Sequence, residues 1–175
     1  MQELYWFGPR LPHPGAVEET GDLMDIRAEA AQIRSDGSLL GAAEHRVRQA
    51  KVDPMLEADL VEHCGPGMRI TSAWVNHYEP GSFVALHQDR TGSDLTALRA
   101  LDEVADPTVL CIDYVGLSGD RLLEMAKTAP FPAGLSVIVP QDRFLFVRGA
   151  EVPHHRPPAT GRYRVLAVTL SRVSG

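Results

Sequence analysis

Short apolar runs, divided by turn residues at regular intervals, dominate the sequence from Met68 onward. Runs of strand length that alternate apolar with polar residues, or are wholly apolar, are typical of β-strands. Strands are predicted over residues 70–78, 82–89, 108–115, 135–139, 144–147 and 162–171, and a short helix or irregular strand over 121–127. Many short strands at even spacing favour a β-sandwich or barrel. The predicted fold class is therefore mainly β with supporting helices (α+β).

The first 67 residues have a different pattern and predict a helical support region. Four apolar residues recur at helical spacing within residues 18–34, which predicts a helix there. They are Leu23, Ile26, Ala30 and Ile33. Asp53 followed by Pro54 is typical of a helix N-cap with proline at the first helical position. This second helix is expected to end at the glycines of residues 65–67.

Length, charge and cysteine content narrow the classes of function. The 175 residues fit one domain, and no apolar run approaches the roughly 18 residues of a membrane-spanning helix. A net charge of −6 counts against nucleic-acid binding as the main role. Cys64 and Cys111 lie far apart and predict two reduced thiols rather than a disulfide or zinc site. The N-terminus lacks the pattern of a secretory signal, so a cytoplasmic location is expected.

Candidate metal ligands lie at the end of the second predicted strand, in His87-Gln88-Asp89. Because side chains alternate along a strand, His87 and Asp89 point to the same side. One imidazole and one carboxylate are two members of the facial triad that holds non-haem Fe(II). A second imidazole is available late in the chain, from His154 or its neighbour His155.

Two arginines follow that histidine pair on the last predicted strand. Arg162 and Arg164 are two residues apart and therefore share a face of the strand. An arginine beside a metal site can hold the far end of a dicarboxylate through a bidentate ion pair.

This combination of residues resembles the Fe(II)/2-oxoglutarate-dependent dioxygenases, whose fold is a double-stranded β-helix (a jelly roll, cupin-like). The resemblance covers residues 70–172. Residues 76–89 are similar to the N-x-Y-x-P-G … L-H-Q-D segment of the AlkB-like branch, in which the asparagine and tyrosine bind 2-oxoglutarate. By this resemblance, Asn76 and Tyr78 would have that role.

The end of the chain departs from AlkB and looks more like the prolyl-hydroxylase branch. There a proline often lies four residues after the metal histidine, and an arginine lies nine or ten residues after it. Counting from His154 reaches Pro158 and Arg164, which favours His154 as a metal ligand and Arg164 as the 2-oxoglutarate arginine. That branch also has an arginine followed directly by a tyrosine, and this pattern would instead select Arg162, which precedes Tyr163.

The resemblance implies one dioxygenase domain over residues 1–175, with a helical support region at 1–67 and a β-helix core at 68–175. Fe(II) would be held by His87, Asp89 and His154, with 2-oxoglutarate as co-substrate and O2 as oxidant. The expected reaction is hydroxylation of an unactivated C–H bond of a small-molecule, amino-acid or peptide-like substrate, with release of succinate and CO2.

In such a fold the polar segment after the first ligands would be a lid at the mouth of the site. This segment spans residues 90–106, with a short helix predicted near 95–104. Two other functions fit the same residues. One is AlkB-like oxidative demethylation of alkylated nucleic acid, which the net charge disfavours. The other is a non-catalytic jelly-roll module that binds a metal at the same site.

Overall fold

Antiparallel strand pairing organises the chain, whose residues 3–12 and 17–173 are described in a computed structural model. The strands are β1 (Tyr5–Phe7), β2 (Val17–Ala28), β3 (Gln32–Ile33), β4 (Leu39–Leu40), β5 (Ala43–Val52), β6 (Met68–Tyr78), β7 (Phe83–His87), β8 (Leu95–Ala100), β9 (Thr108–Leu110), β10 (Leu135–Val137), β11 (Leu145–Val147), β12 (His154–Arg156) and β13 (Tyr163–Arg172). The helices are α1 (Pro54–Cys64) and α2 (Gly119–Thr128), and a 3-10 turn covers Ile112–Tyr114.

Eleven of the described strands form a single curled sheet in which every pairing is antiparallel. Its order is β1-β11-β8-β13-β6-β5-β7-β12-β9-β10, and β2 adds to β5. Strands β3 and β4 form a separate hairpin. A cavity of about 420 Å³ lies inside the curl, lined by β5, β6, β8 and β13 on one side and by β7, β9 and β12 on the other.

Side-chain alternation along β13 shows how the sheet separates this cavity from the outer core. Val165 and Ala167 line the cavity. Their neighbours Leu166 and Val168 are fully buried on the opposite face, in a cluster that includes Leu56 of α1. Because side chains alternate along a strand, one face of β13 lines the cavity and the other face packs in the outer core.

The two helices cover outer faces of the sheet and leave its inner face free. Helix α1 begins as predicted, because the Asp53 side chain accepts a hydrogen bond from the Met55 amide at 2.8 Å and proline occupies the first turn. Helix α2 packs Leu122 and Ala126 against the outer side of β7 and β9. Neither helix in these ranges is long and apolar enough to cross a membrane.

The helix predicted over residues 18–34 is wrong, because this segment forms β2 and the start of the β3–β4 hairpin. The backbone of β2 pairs with β5 over most of its length, with a register shift between Thr20 and Met24. Met24 and Ile26 then share a strand face and line the cavity. Tertiary pairing has overridden the helical spacing. Since β1–β5 lie before residue 68, the first 67 residues are not a helical region.

The lid and short helix predicted within residues 90–106 are also wrong. Residues Leu95–Ala100 form β8, which pairs with β13 on one side and β11 on the other. Five of its six residues are buried, as a central strand requires. The segment is thus part of the sheet rather than a cover over the site. Cys64 and Cys111 are free, as expected.

The outer core should carry much of the stability. Leu166→Ala removes a fully buried side chain from β13, and we expect it to lower the free energy of unfolding by about 3 kcal/mol because it leaves a cavity. Leu135→Ala, at a position 42% exposed, should cost less than about 1 kcal/mol. Urea unfolding measures both, and equal losses would contradict this assignment of the core.

Candidate metal centre and adjoining cavity

Three of the predicted ligands meet at one end of the cavity. The ligand atoms of His87, Asp89 and His154 all lie within 4.8 Å of one another. Strand pairing brings them together, because His154 of β12 is the cross-strand partner of His87 on β7. The Nε2 of His154 lies 3.7 Å from Oδ1 of Asp89, and the two imidazole centroids are 4.2 Å apart.

Backbone carbonyls orient both imidazoles. The Nδ1 of His87 lies 2.9 Å from the Ala85 carbonyl oxygen, and Nδ1 of His154 lies 2.8 Å from the Val152 carbonyl oxygen. Donation of Nδ1–H to these carbonyls leaves each Nε2 with a lone pair for a metal. Ligating histidines in metalloproteins are held in this way.

The Asp89 carboxylate is held so that one oxygen is left for a metal. Its Oδ2 accepts a hydrogen bond from the Thr96 hydroxyl at 2.5 Å, while Oδ1 faces His154. The backbone amide of Asp89 donates to the Gly149 carbonyl at 2.9 Å. Gly149 is necessary for this approach, because a Cβ built on it would lie 1.8 Å from Oδ2.

The electrostatics of the cluster keep an imidazole in the form that binds metals. Burial lowers the pKa of His87, and the neighbouring His154 lowers it further, to about 3. His87 is therefore neutral at physiological pH. Two imidazoles and one monodentate carboxylate form a donor set that fits Fe(II), with room for further ligands on the cavity side.

The structure separates His154 from His155. Only His154 joins the cluster, whereas Nε2 of His155 lies 2.8 Å from the Pro132 carbonyl oxygen. His155 also lines part of the cavity, but its imidazole is bound to this carbonyl rather than to the cluster.

Neither predicted 2-oxoglutarate arginine lies in the cavity, so this expectation is corrected. Arg164 shares the outer face of β13 with Leu166 and forms ion pairs with Asp102 at 2.9 Å and Glu19 at 3.1 Å. Arg162 pairs with Glu79 at 2.7 Å, and its side chain is 79% exposed. The cavity-facing positions of β13 are apolar instead.

Arg156 lines the cavity, as does Arg34, and neither was among the arginines predicted from the sequence. Arg156 is only 5% exposed, and within the described ranges no carboxylate forms an ion pair with it. Its Nη2 donates to the Thr108 hydroxyl at 2.5 Å, and its guanidinium carbon lies 5.0 Å from the Tyr78 ring centroid. The signal was present in the spacing, since Arg156 follows His154 by two residues and shares its strand face.

Asn76 and Tyr78 both line the cavity, as does Trp74 on the same face of β6. His45, on the adjacent strand, stacks on Tyr78 with ring centroids 5.5 Å apart. The Nδ1 of His45 is buried and has no hydrogen-bond partner within the described ranges. Arg156 also donates from Nη1 to the Asp106 carbonyl and the Tyr163 hydroxyl, both at 3.4 Å, so what it lacks in the described ranges is an anionic partner rather than hydrogen bonds.

Gly149→Ala tests how closely Asp89 is packed. The added methyl group must displace the Asp89 carboxylate, so we expect the affinity for Ni(II) or Co(II) to fall at least about tenfold, as for changes to groups that orient metal ligands. Isothermal titration measures it. Gly161→Ala is the matched control, because its Cβ would meet open space. Equal affinity in the two variants would contradict the packing.

His45 should make the metal-free protein sensitive to acid. Burial, together with the charge of Arg156, lowers the pKa of His45 to about 4 from the ordinary 6.5. As the pH falls from 6.5 toward 4, the unfolded chain takes up a proton that the folded chain does not, so the free energy of unfolding decreases. Between pH 7 and 4.5, His45→Gln should lose about 2 kcal/mol less stability than the wild type in urea unfolding. An equal loss of stability in the wild type and in His45→Gln would contradict this role of His45.

Solved structures with the same architecture identify the fold. An oxidoreductase of the 2OG-Fe(II) oxygenase family from Burkholderia pseudomallei is similar with a TM-score of 0.54 and 10% identity, covering 88% of this chain and 75% of that one. A Pseudomonas putida prolyl-4-hydroxylase is less similar, with a TM-score of 0.49 and 14% identity, covering 77% of this chain and 74% of that one. The carbocyclase SnoK from nogalamycin biosynthesis has a TM-score of 0.49 and 14% identity, covering 82% of this chain and 69% of that one. No protein-family model and no curated protein matches the chain. The chain therefore has the mainly β, double-stranded β-helix (jelly-roll) fold of a 2OG-Fe(II) oxygenase.

Proposed function

We propose that the protein is an Fe(II)/2-oxoglutarate-dependent oxygenase that hydroxylates a C–H bond of a small-molecule, amino-acid or peptide-like substrate, with release of succinate and CO2. One observation carries the proposal. A two-histidine, one-carboxylate cluster lines the same cavity as a buried arginine that has no carboxylate partner in the described part of the chain. These are the two features that binding of Fe(II) and of a dicarboxylate requires.

The cluster residues would hold the metal through Nε2 of His87, Nε2 of His154 and Oδ1 of Asp89. Each of these atoms is left available by a hydrogen bond made elsewhere on the same side chain. Fe(II) with 2-oxoglutarate supplies the oxidising power for C–H hydroxylation when both are bound. The protein contributes the orientation of the bound groups.

Arg156 is proposed to bind the far carboxylate of 2-oxoglutarate, in place of Arg164 or Arg162. A buried guanidinium without a counter-ion is energetically costly, and a carboxylate ligand would neutralise it. The hydroxyl of Thr108 already contacts Arg156 and could donate to the same carboxylate. Tyr78 packs against the guanidinium and Asn76 lines the same cavity, which supports the proposal that both contact 2-oxoglutarate.

The substrate would occupy the remaining part of the cavity, near the metal. Its volume of about 420 Å³ must accommodate 2-oxoglutarate as well. This limits the group that reaches the metal to a small molecule or a single side chain. The wall formed by Trp74, Leu98 and Ala167 favours an apolar group at this point.

Replacing arginines tests which one binds 2-oxoglutarate. Arg156→Gln removes the charge and the two parallel N–H donors of the guanidinium. The 2-oxoglutarate concentration for half-maximal binding should therefore rise about tenfold to a hundredfold, which corresponds to the loss of one charge-assisted hydrogen bond. Isothermal titration into the Ni(II)-loaded protein measures this without turnover. Arg164→Gln is the matched control and should change the value less than about twofold. A large effect of Arg164→Gln alone would restore the earlier assignment.

Succinate release separates the proposal from a non-catalytic metal-binding module. The Fe(II)-loaded protein should convert 2-oxoglutarate to succinate, and His87→Ala should abolish both iron binding and conversion. Binding of Fe(II) without any succinate, with or without candidate substrates, would favour the binding module. Conversion stimulated by alkylated single-stranded DNA or RNA would favour the demethylase instead.

A further inference from the structure

The β3–β4 hairpin lies against the turn that carries the metal ligands. The Gln88 amide donates to the Leu39 carbonyl at 2.9 Å, and the Leu39 amide donates to the Gln88 side-chain oxygen at 3.4 Å. The tip of the hairpin is held as well, since Asp36 accepts hydrogen bonds from the amides of Ser38 at 3.0 Å and Thr91 at 3.1 Å. The hairpin is thus a fixed part of the rim above the metal cluster.

Arg34 projects from this hairpin into the cavity. A single nitrogen, Nη1, donates to the Ser38 hydroxyl at 3.0 Å, the Leu39 carbonyl at 3.2 Å and the Gln88 carbonyl at 2.9 Å. The last of these carbonyls lies between the two ligands His87 and Asp89. Three acceptors on one nitrogen fix the guanidinium in place beside the metal cluster.

The rest of that guanidinium is unused by the protein. Nε and Nη2 of Arg34 donate to no residue in the described ranges, and no carboxylate there forms an ion pair with it. Arg90 adds a second positive charge nearby, while Asp36 and Asp89 act on Arg34 electrostatically without forming an ion pair with it. A guanidinium edge with two parallel N–H groups matches the two oxygens of a carboxylate.

The rim near Arg34 is apolar. Met24 and Ile26 of β2 line the same cavity, although they are 43% and 37% exposed. Leu40 of the hairpin and Trp74 of β6 continue this surface. Exposed apolar side chains at a cavity mouth indicate contact with the apolar part of a ligand.

We propose that Arg34 binds a carboxylate of the primary substrate, which is a small organic acid with an apolar body. The carboxylate would lie on the free edge of Arg34, and the apolar body would pack on Met24 and Ile26 while reaching toward the metal. This inference rests on the proposed function for the identity of the site. Arg34 is anchored on Leu39 and Gln88 and Arg156 on Thr108, and the proposal assigns them two different carboxylates.

Matched acids and amides test the proposal by binding alone. The probes are hexanoate with hexanamide, phenylacetate with phenylacetamide, and hydrocinnamate with hydrocinnamamide, titrated into protein loaded with Ni(II) and saturated with 2-oxoglutarate. We expect at least one acid to bind about tenfold or more tightly than its amide, which is the effect of one charge-assisted contact. Arg34→Gln should abolish this preference. Arg90→Gln removes the same charge from an exposed neighbour and should retain most of it.

A second measurement does not depend on that variant retaining its structure. In protein labelled with 15N-arginine, the acid should shift the Nε–H resonance of Arg34, identified by its absence in Arg34→Lys, and the amide should not. The proposal is overturned if no acid in the set binds more tightly than its amide to the wild-type protein, or if the preference survives Arg34→Gln. An acid that displaces 2-oxoglutarate binds at Arg156 instead of Arg34, and this result also counts against the proposal. Failure of 2-oxoglutarate itself to bind refutes the proposed function instead, and titration of the same pairs into protein with Ni(II) alone then decides the role of Arg34.

Discussion

The cross-strand pairing of β7 with β12 is the constraint on which the candidate site depends. It places His154 directly opposite His87, although 66 residues separate them in the chain. Antiparallel neighbours have their side chains about 5 Å apart on the same face, which is the spacing two ligands of one metal need. A shift of one residue in this register would turn His154 away from His87 and Asp89 and so remove one of the three candidate ligands. The register of two short strands therefore decides whether the site exists.

The rest of the curled sheet keeps that pairing in place and leaves a cavity beside it. Helices α1 and α2 bury apolar residues on outer faces, so the inner face is free for a ligand. Small and apolar side chains, such as Ala167, line the inner wall. Gly149 allows Asp89 to approach the backbone closely. The same packing that stabilises the fold thus shapes the site.

Two arginines give the cavity an unusual electrostatic character. Among the residues that the structure describes, Arg156 is buried without a carboxylate partner, and Arg34 uses only one of its nitrogens in hydrogen bonds. Neither guanidinium forms a direct ion pair with a carboxylate in the described ranges, although Asp36 and Asp89 lie close enough to Arg34 to interact with it electrostatically. Binding of two carboxylates, one from the co-substrate and one from the substrate, would supply those ion pairs.

The amino-acid sequence alone predicted the candidate ligand pair His87 and Asp89, helix α1 and the positions of most later strands, because alternation, capping residues and turn residues act locally. Only the tertiary structure decided that residues 17–28 and 95–100 are strands, since pairing with neighbouring strands overrode their local patterns. It also decided that Arg156 rather than Arg164 faces the cavity. Which face of a strand looks inward depends on how the sheet curls, and local spacing carries no information about that curl.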